Sequence, residues 1–294
     1  MANLKEIRNR IQSVISTRQI TSAMKMVSAA KLRKAQDAII QMRPYASKLH
    51  EILLSLSASL EAGTENIYAQ ERDVSKVLLI IITSNRGLCG AFNSNVVKRT
   101  LQIIDDEYKT VKDKGNLDIM AIGKKGADLL RAKGTKPAFV HHDIFDQLKF
   151  ENVLPLITEI MDYFISAKYN RIELIYNQFK NAATQELVRE QFLPIKQEQK
   201  WEDRFETNLD FILEPSKMEI INELIPKSLK IQFFKALLDS YASEHGARMT
   251  AMHKATDNAT DLIRDLQLTY NKARQSAITK EILEIVSGAE ALKG

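Results

Sequence analysis

The sequence predicts an α/β protein. Long N- and C-terminal helices form an antiparallel coiled coil, and a central α/β domain lies between them in the chain. Three observations carry this reading. Residues 3 to about 60 hold no glycine and a single proline, Pro44. From Ile231 to Val286 the only glycine is Gly246, and no proline interrupts the run. Between these segments, apolar β-branched runs alternate with helical stretches.

The N-terminal segment comes first. Ile7, Ile11 and Val14, then Ile20, Met24 and Val27, recur at helical spacing. Strong helix formers fill the intervening positions. The pattern predicts one helix over residues 1–60, with a bend allowed at Pro44 and a break near "EAGTEN" at 61–66.

A central domain over residues 70–215 follows. "VSKVLLIIITS" (74–84), "LDIMAIG" (117–123), "RIELIYNQF" (171–179) and "QELVREQFLPI" (185–195) read as strands. Helical stretches at about 93–114, at "KKGADLLRAKG" and at 151–167 lie between them. This alternation predicts a Rossmann-like α/β layer with a partly parallel sheet.

The C-terminal helix is placed at 220–290. A three-four repeat runs through Ile231, Phe234, Leu238, Tyr241, His245, Arg248, Met252, Ala255, Ala259, Leu262, Leu266, Thr269 and Ala273. Such a repeat marks a coiled-coil seam. Ala255 and Ala259 stand where Leu is expected, so two backbones can approach closely there. A domain of about 140 residues is on the order of 40 Å across. A helix of about 55 residues is about 80 Å long. Each terminal helix therefore overshoots the domain, and a lone basic helix in water is marginal. Pairing the two as a rod resolves both points. It leaves Met249, Ile263, Ile278, Ile282 and Ile285 off the seam and in need of another partner.

Charge is unevenly spread over the 294 residues. Residues 1–58 hold ten Lys/Arg and three acids, whereas residues 240–294 hold seven of each sign. Nucleic-acid binding by the basic helix is disfavoured because no aromatic residue lies between 1 and 44 to stack on bases. One cysteine excludes an internal disulfide or a cysteine-cluster metal site. The longest apolar run, "VLLIII", is strand length, and the N-terminus has no apolar signal core.

"IITSNRGLCGAFN" (81–93) has the strand, Gly turn and helix order of a phosphate or nucleophile site. No base or orienting pair can be placed beside Cys89 from sequence. A turn with Cys89 packed inside is the simpler reading. "GKKG" (123–126) lacks the spacing of a phosphate loop and reads as a strand end starting a helix. His141 and His142 are adjacent and so point apart, which argues against a metal pair. Gly246 reads as a close backbone approach. Two rivals follow from residues alone: an α/β enzyme with a helical arm, and a coiled-coil adaptor for DNA or membrane.

The terminal segments "KEIRNRIQSVISTRQITSAMKMVSAAKLRKAQ" and "ARMTAMHKATDNATDLIRDLQLTYNKARQSAITKEILEIVSGAEAL" closely resemble the two ends of the gamma subunit of rotary (F-type) ATP synthases. "SNRGLCGAFN" resembles that family's central motif. The resemblance implies a non-catalytic rotor shaft without a cofactor. Its coiled coil would insert into the ring of alpha and beta subunits, with "EILEIVSGAEAL" in an apolar sleeve. Its α/β domain would form a foot with the epsilon subunit on the ring of c subunits, turned by proton (or sodium) flow. By position, Arg274 and Gln275 match the pair that bonds a beta-subunit loop, with Thr279 nearby. Met24 and Lys25 match the face that passes acidic beta loops, and Arg18, Lys31, Arg33 and Lys34 extend it. Glu214 and Pro215, in "FILEPS", match the foot segment near the c ring and epsilon. The expected location is peripheral, on the cytoplasmic side of a bacterial inner membrane, with membrane contact only through the complex. The chain departs from the family pattern at Asn85 (often Asp), Ala91 (often Gly) and Gly246 (often Ala). It lacks the cysteine pair of the chloroplast form.

Overall fold

A computed structural model describes residues 4–58, 67–195 and 217–291. In chain order the elements are α1 (Leu4–Ala58), β1 (Val77–Ile82), α2 (Phe92–Asp106), α3 (Lys109–Asp113), β2 (Leu117–Ile122) and α4 (Lys124–Ala132). Then come β3 (Phe139–His141), α5 (Phe150–Ile165), β4 (Arg171–Phe179), β5 (Gln185–Leu193) and α6 (Lys217–Ala291). The chain divides into two compact units: Ala29–Arg248, and Met1–Ser28 together with Met249–Gly294.

The first unit is built on a five-stranded sheet of order β3-β2-β1-β4-β5. β1 pairs in parallel with β2 and β4, β2 pairs in parallel with β3, and β5 closes the edge antiparallel to β4. β1 is the sheet's centre because all six of its residues are large and apolar, which suits a strand covered on both faces. Leu78, Ile80 and Ile82 face a core shared with Val153, Ile157 and Ile160 of α5 and with Leu229, Phe233 and Leu237 of α6. Val77, Leu79 and Ile81 face Val96 and Ile104 of α2 and Leu130 of α4. At the β4–β5 turn, the Asn181 side chain accepts the N–H groups of Ala183 and Thr184 at 2.9 and 2.8 Å. Gly246 faces this turn. A Cβ there would lie 3.2 Å from the Ala182 carbonyl oxygen, so the close approach expected from sequence is present.

Two features of this unit differ from the sequence expectation. The single helix expected over 93–114 is broken between α2 and α3. There Tyr108 is buried and its hydroxyl donates to Glu173 at 2.7 Å. β3 is a further strand, only three residues long and half-buried, too short to carry an alternation signal.

The second unit is an antiparallel helix pair. Arg8 Nη2 donates to the Tyr270 hydroxyl at 2.8 Å. The hydroxyls of Thr21 and Thr256 meet at 2.8 Å, and Lys25 Nζ lies 3.4 Å from His253 Nδ1. Each step forward on α1 is thus matched by one step back on α6. The covered face of α1 runs Ile7, Ile11, Val14, Arg18, Thr21, Lys25 and Ser28, an unbroken alternation of fours and threes. Ile20 and Val27, expected on the apolar face, are 60% and 58% exposed. The six-residue step from Val14 to Ile20 leaves the heptad register, and the polar Thr21 and Ser28 keep it. On α6 the seam holds at Met252, Ala259, Leu266 and Ala273. The intermediate position falls four residues on, not three. Ile263 (7% exposed) therefore takes the place expected for Leu262 (40%), and Tyr270 that of Thr269. Spacing alone allows either phase. The phase adopted buries the β-branched isoleucine and the tyrosine ring in place of a leucine and a threonine.

Candidate functional site

The turn after β1, which has the sequence order of a phosphate or nucleophile site, is a tightly bonded structural corner. The Asn93 carboxamide accepts from Ser84 N at 2.9 Å and donates to Ser84 Oγ at 2.8 Å. It also donates to Cys89 Sγ at 3.3 Å. The Asn85 side chain bridges β3's exit and α4: its Nδ2 donates to the His142 carbonyl at 2.6 Å, and its Oδ1 accepts from Lys124 N at 3.1 Å. Cys89 is buried, and burial pushes its thiol pKa up, away from the thiolate a nucleophile needs. Thr83 Oγ1 accepts from Gly126 N at 3.0 Å. A Cβ at Gly126 would sit 2.4 Å from that oxygen, and one at Gly123 would sit 2.2 Å from the Thr83 carbonyl. "GKKG" therefore lets α4 start against β1.

The turn is also held from α6. Arg248 Nε donates to the Gly87 carbonyl at 3.2 Å, and its Nη2 donates to the Arg86 carbonyl at 2.9 Å. The same Nη2 lies 2.7 Å from Glu244 Oε1, and Nη1 is 3.2 Å from His245 Nδ1. All three α6 side chains are buried. Burial, helped by the Arg248 charge, pushes the His245 pKa down to about 3, so its Nδ1 is free to accept. Burial raises the Glu244 carboxyl, against the pull of Arg248. Leu88 projects from this turn at φ 62° and 63% exposed. Sequence reading placed His245 and Arg248 on the seam without assigning them a task. Ionisable residues at apolar-phase positions were the available signal.

The residues matched by resemblance lie on the terminal helices. In the helix pair, Arg18, Met24 and Lys25 are half-buried on α1. His253, close to Lys25 Nζ, also lies 3.3 Å from Asp257. Arg274, Gln275 and Thr279 are exposed on α6, and Thr279 Oγ1 donates to the Gln275 carbonyl at 2.9 Å. In the register given above, Leu4 falls opposite Ala273 and Arg274. Residues 278–291 thus extend beyond the described start of α1, and Ile278, Ile282, Leu283, Ile285 and Val286 are exposed there. Lys31, Arg33 and Lys34 belong to the other unit and are exposed. Glu214 and Pro215 lie outside the described residues. No helix among the described residues is long and apolar enough to cross a membrane.

Comparison with known proteins joins these features. An ATP synthase family model matches residues 3–292. The ATP synthase gamma chain of Flavobacterium johnsoniae is 61% identical over 294 residues, covering the whole of both chains. That of Christiangramia forsetii is 57% identical, again over the whole of both. A chain in the Euglena gracilis mitochondrial ATP synthase (OSCP/F1/c-ring, rotational state 3) shares the fold. Its TM-score is 0.68 at 23% identity, with 98% of this chain and 94% of that one covered. With the match running through both terminal helices and the Gly turn alike, this chain belongs to the ATP synthase gamma chain family.

Proposed function

We propose that the chain is the central rotor shaft of a proton-translocating F-type ATP synthase. It couples rotation of the c ring to ATP synthesis and hydrolysis in the alpha/beta hexamer. The observation that carries this is the full-length 61% identity to a gamma chain, which takes in both terminal helices. The segments divide the work. Helices 1–60 and 220–290 form the shaft, and 70–215 is the foot that meets epsilon and the c ring. The shaft is non-catalytic. Its Gly turn supports that role, because Ser84, Cys89 and Asn93 are spent on one another inside the fold. Since a ligand shifts an equilibrium only through unequal affinity for its states, the shaft acts by presenting a different face to each beta subunit.

Arg274, Gln275 and Thr279 form the contact to beta at one end. The fork of Arg274 suits a carboxylate, and all three side chains are exposed. Arg18, Met24, Lys25, Lys31, Arg33 and Lys34 meet acidic beta loops, and Glu214 and Pro215 meet the c ring and epsilon. The protein is peripheral, on the cytoplasmic side of a bacterial inner membrane.

Co-expression with the alpha and beta subunits tests this. The purified chain alone should hydrolyse no ATP, whereas the co-purified complex should. Failure of the three subunits to co-purify would sink the shaft reading. Arg274→Ala with Gln275→Ala should weaken assembly without changing the melting temperature of the free chain. Unchanged assembly would remove the beta contact from these residues.

A further inference from the structure

The apolar contacts that seat α6 on the sheet, Leu229, Phe233, Ala236 and Leu237, resist its removal but are non-directional. Such packing selects one angular setting of a helix less sharply than bonds that require alignment. Hydrogen bonds are directional and require it. In the α/β unit, Arg248 supplies such bonds across a sequence separation of more than 160 residues, to two successive carbonyls of the turn that ends the central strand. Its guanidinium is itself fixed by Glu244 one helical turn earlier and by His245 Nδ1. The arrangement is buried, with Arg248 6% exposed, so water does not compete for it. The turn is braced from its other side by Ser84 Oγ, which donates to the same Arg86 carbonyl at 2.7 Å. Arg248 is also the last residue of this unit, at the point where α6 runs on into the helix pair.

We propose that Arg248, oriented by Glu244 and His245, is a torque-locking residue that fixes the rotational setting of α6 against the β1 turn. The proposal rests on the shaft reading above. Arg248 is a positioning residue: it acts by making the sheet and the helix turn as one body. Without it α6 keeps its apolar seat and the Gln232–Glu190 bond to β5 but loses its directional bonds to the β1 turn, so its angular setting there loosens and rotation is transmitted with slip.

The test separates locking from folding. Arg248→Ala alone strands a buried carboxylate and can unfold the unit. The informative variant is therefore the double change Arg248→Met with Glu244→Leu, which removes both charges at similar volume and is expected to keep stability near that of the parent. In the free full-length chain, amide hydrogen exchange over residues 85–91 should rise about tenfold to a hundredfold, as for loss of charge-assisted bonds. The melting temperature should stay close to the parent value. In the assembled, membrane-embedded complex, ATP hydrolysis should persist while protons pumped per ATP fall severalfold. Arg248→Lys should fall between parent and double variant. A folded double variant with unchanged exchange in the turn, or with full pumping per ATP, would overturn the proposal. If the parent chain itself fails to assemble, the shaft reading fails. The exchange result in the free chain still decides whether Arg248 locks the turn.

Discussion

The two units solve opposite problems with the same helices. In the α/β unit, both sheet faces are covered, and every residue of β1 is wholly inaccessible to solvent. Its buried charges are largely paired: Glu173 receives Arg189 Nε at 2.8 Å and Nη2 at 2.9 Å, together with the Tyr108 hydroxyl. In the helix pair, each helix covers one stripe of the other and leaves large apolar side chains in water, including Ile20, Met26, Val27, Leu268 and Ile285. The sheet core is closed by its own residues, although Leu88 and Ile165 stay exposed on that unit's surface. The helix pair leaves a whole outer stripe uncovered, and apolar area of that extent marks a surface for a partner.

Mutations can break that contrast, and the largest effect belongs to the finished core. Phe233→Ala removes a side chain with no exposed surface that packs edge-on to Phe192 at 5.5 Å. It should cost about 3–5 kcal/mol of unfolding free energy in denaturant titration. In the helix pair, Ile263→Ala should cost about 2 kcal/mol, while Leu262→Ala should stay within about 0.5 kcal/mol. Equal losses at the two sites would refute the seam phase described here.

A pH series sharpens the comparison next. The folded pKa of His245, about 3, lies below the ordinary value of 6.5. Between those values the unfolded chain binds the extra proton, so acidification removes stability from the α/β unit across this window. The slope is at most about 1.4 kcal/mol per pH unit. Glu244, shifted upward, opposes it over part of the same range. His245→Gln keeps an acceptor for Arg248 and removes the imidazole proton. The stability gap between parent and variant should change with pH only from about 6.5 downward. A constant gap would remove His245 from the acid response.

Smaller still is Thr21→Val. It replaces the hydroxyl that meets Thr256 and should change the stability of the helix pair by about 1 kcal/mol. Ile285→Ser should leave the melt of the free chain within about 0.5 kcal/mol yet weaken assembly with alpha and beta subunits. An effect on the melt alone would mean that the exposed end serves its own chain.

Most of the central unit was legible in the sequence because β1 and β2 are apolar runs bounded by turn residues and β4 alternates like a strand. "VLLIII" can be buried on both faces and little else. β3 was not legible, because three half-buried residues hold no period. The paired helices were readable as helices but not in phase. Position 21 and position 28 sit inside the seam as Thr and Ser, while Ile20 and Val27 sit outside, so hydrophobicity pointed to the wrong face. The residues matched for partner contact were legible only through resemblance, since an exposed Arg274 or Gln275 has no intrachain signature. The Arg248 cluster was visible as charge on an apolar seam, but its targets, the carbonyls of Arg86 and Gly87, are backbone groups that no side-chain pattern reports.

The register of the helix pair carries a consequence for the length of the gene. α1 and α6 run in opposite directions, and their partners are fixed as 8 with 270, 21 with 256 and 25 with 253. A single-residue deletion within either helix would rotate everything beyond it by about 100° and pull it back by about 1.5 Å, while the facing helix stayed where it was. Within the paired stretch, an edit that keeps the seam is therefore a double one: seven residues from the first helix and the matching seven from the last, taken from opposite ends of the reading frame. There the lengths of the two termini are coupled, and a length change in one helix keeps its partners only when the other helix answers it.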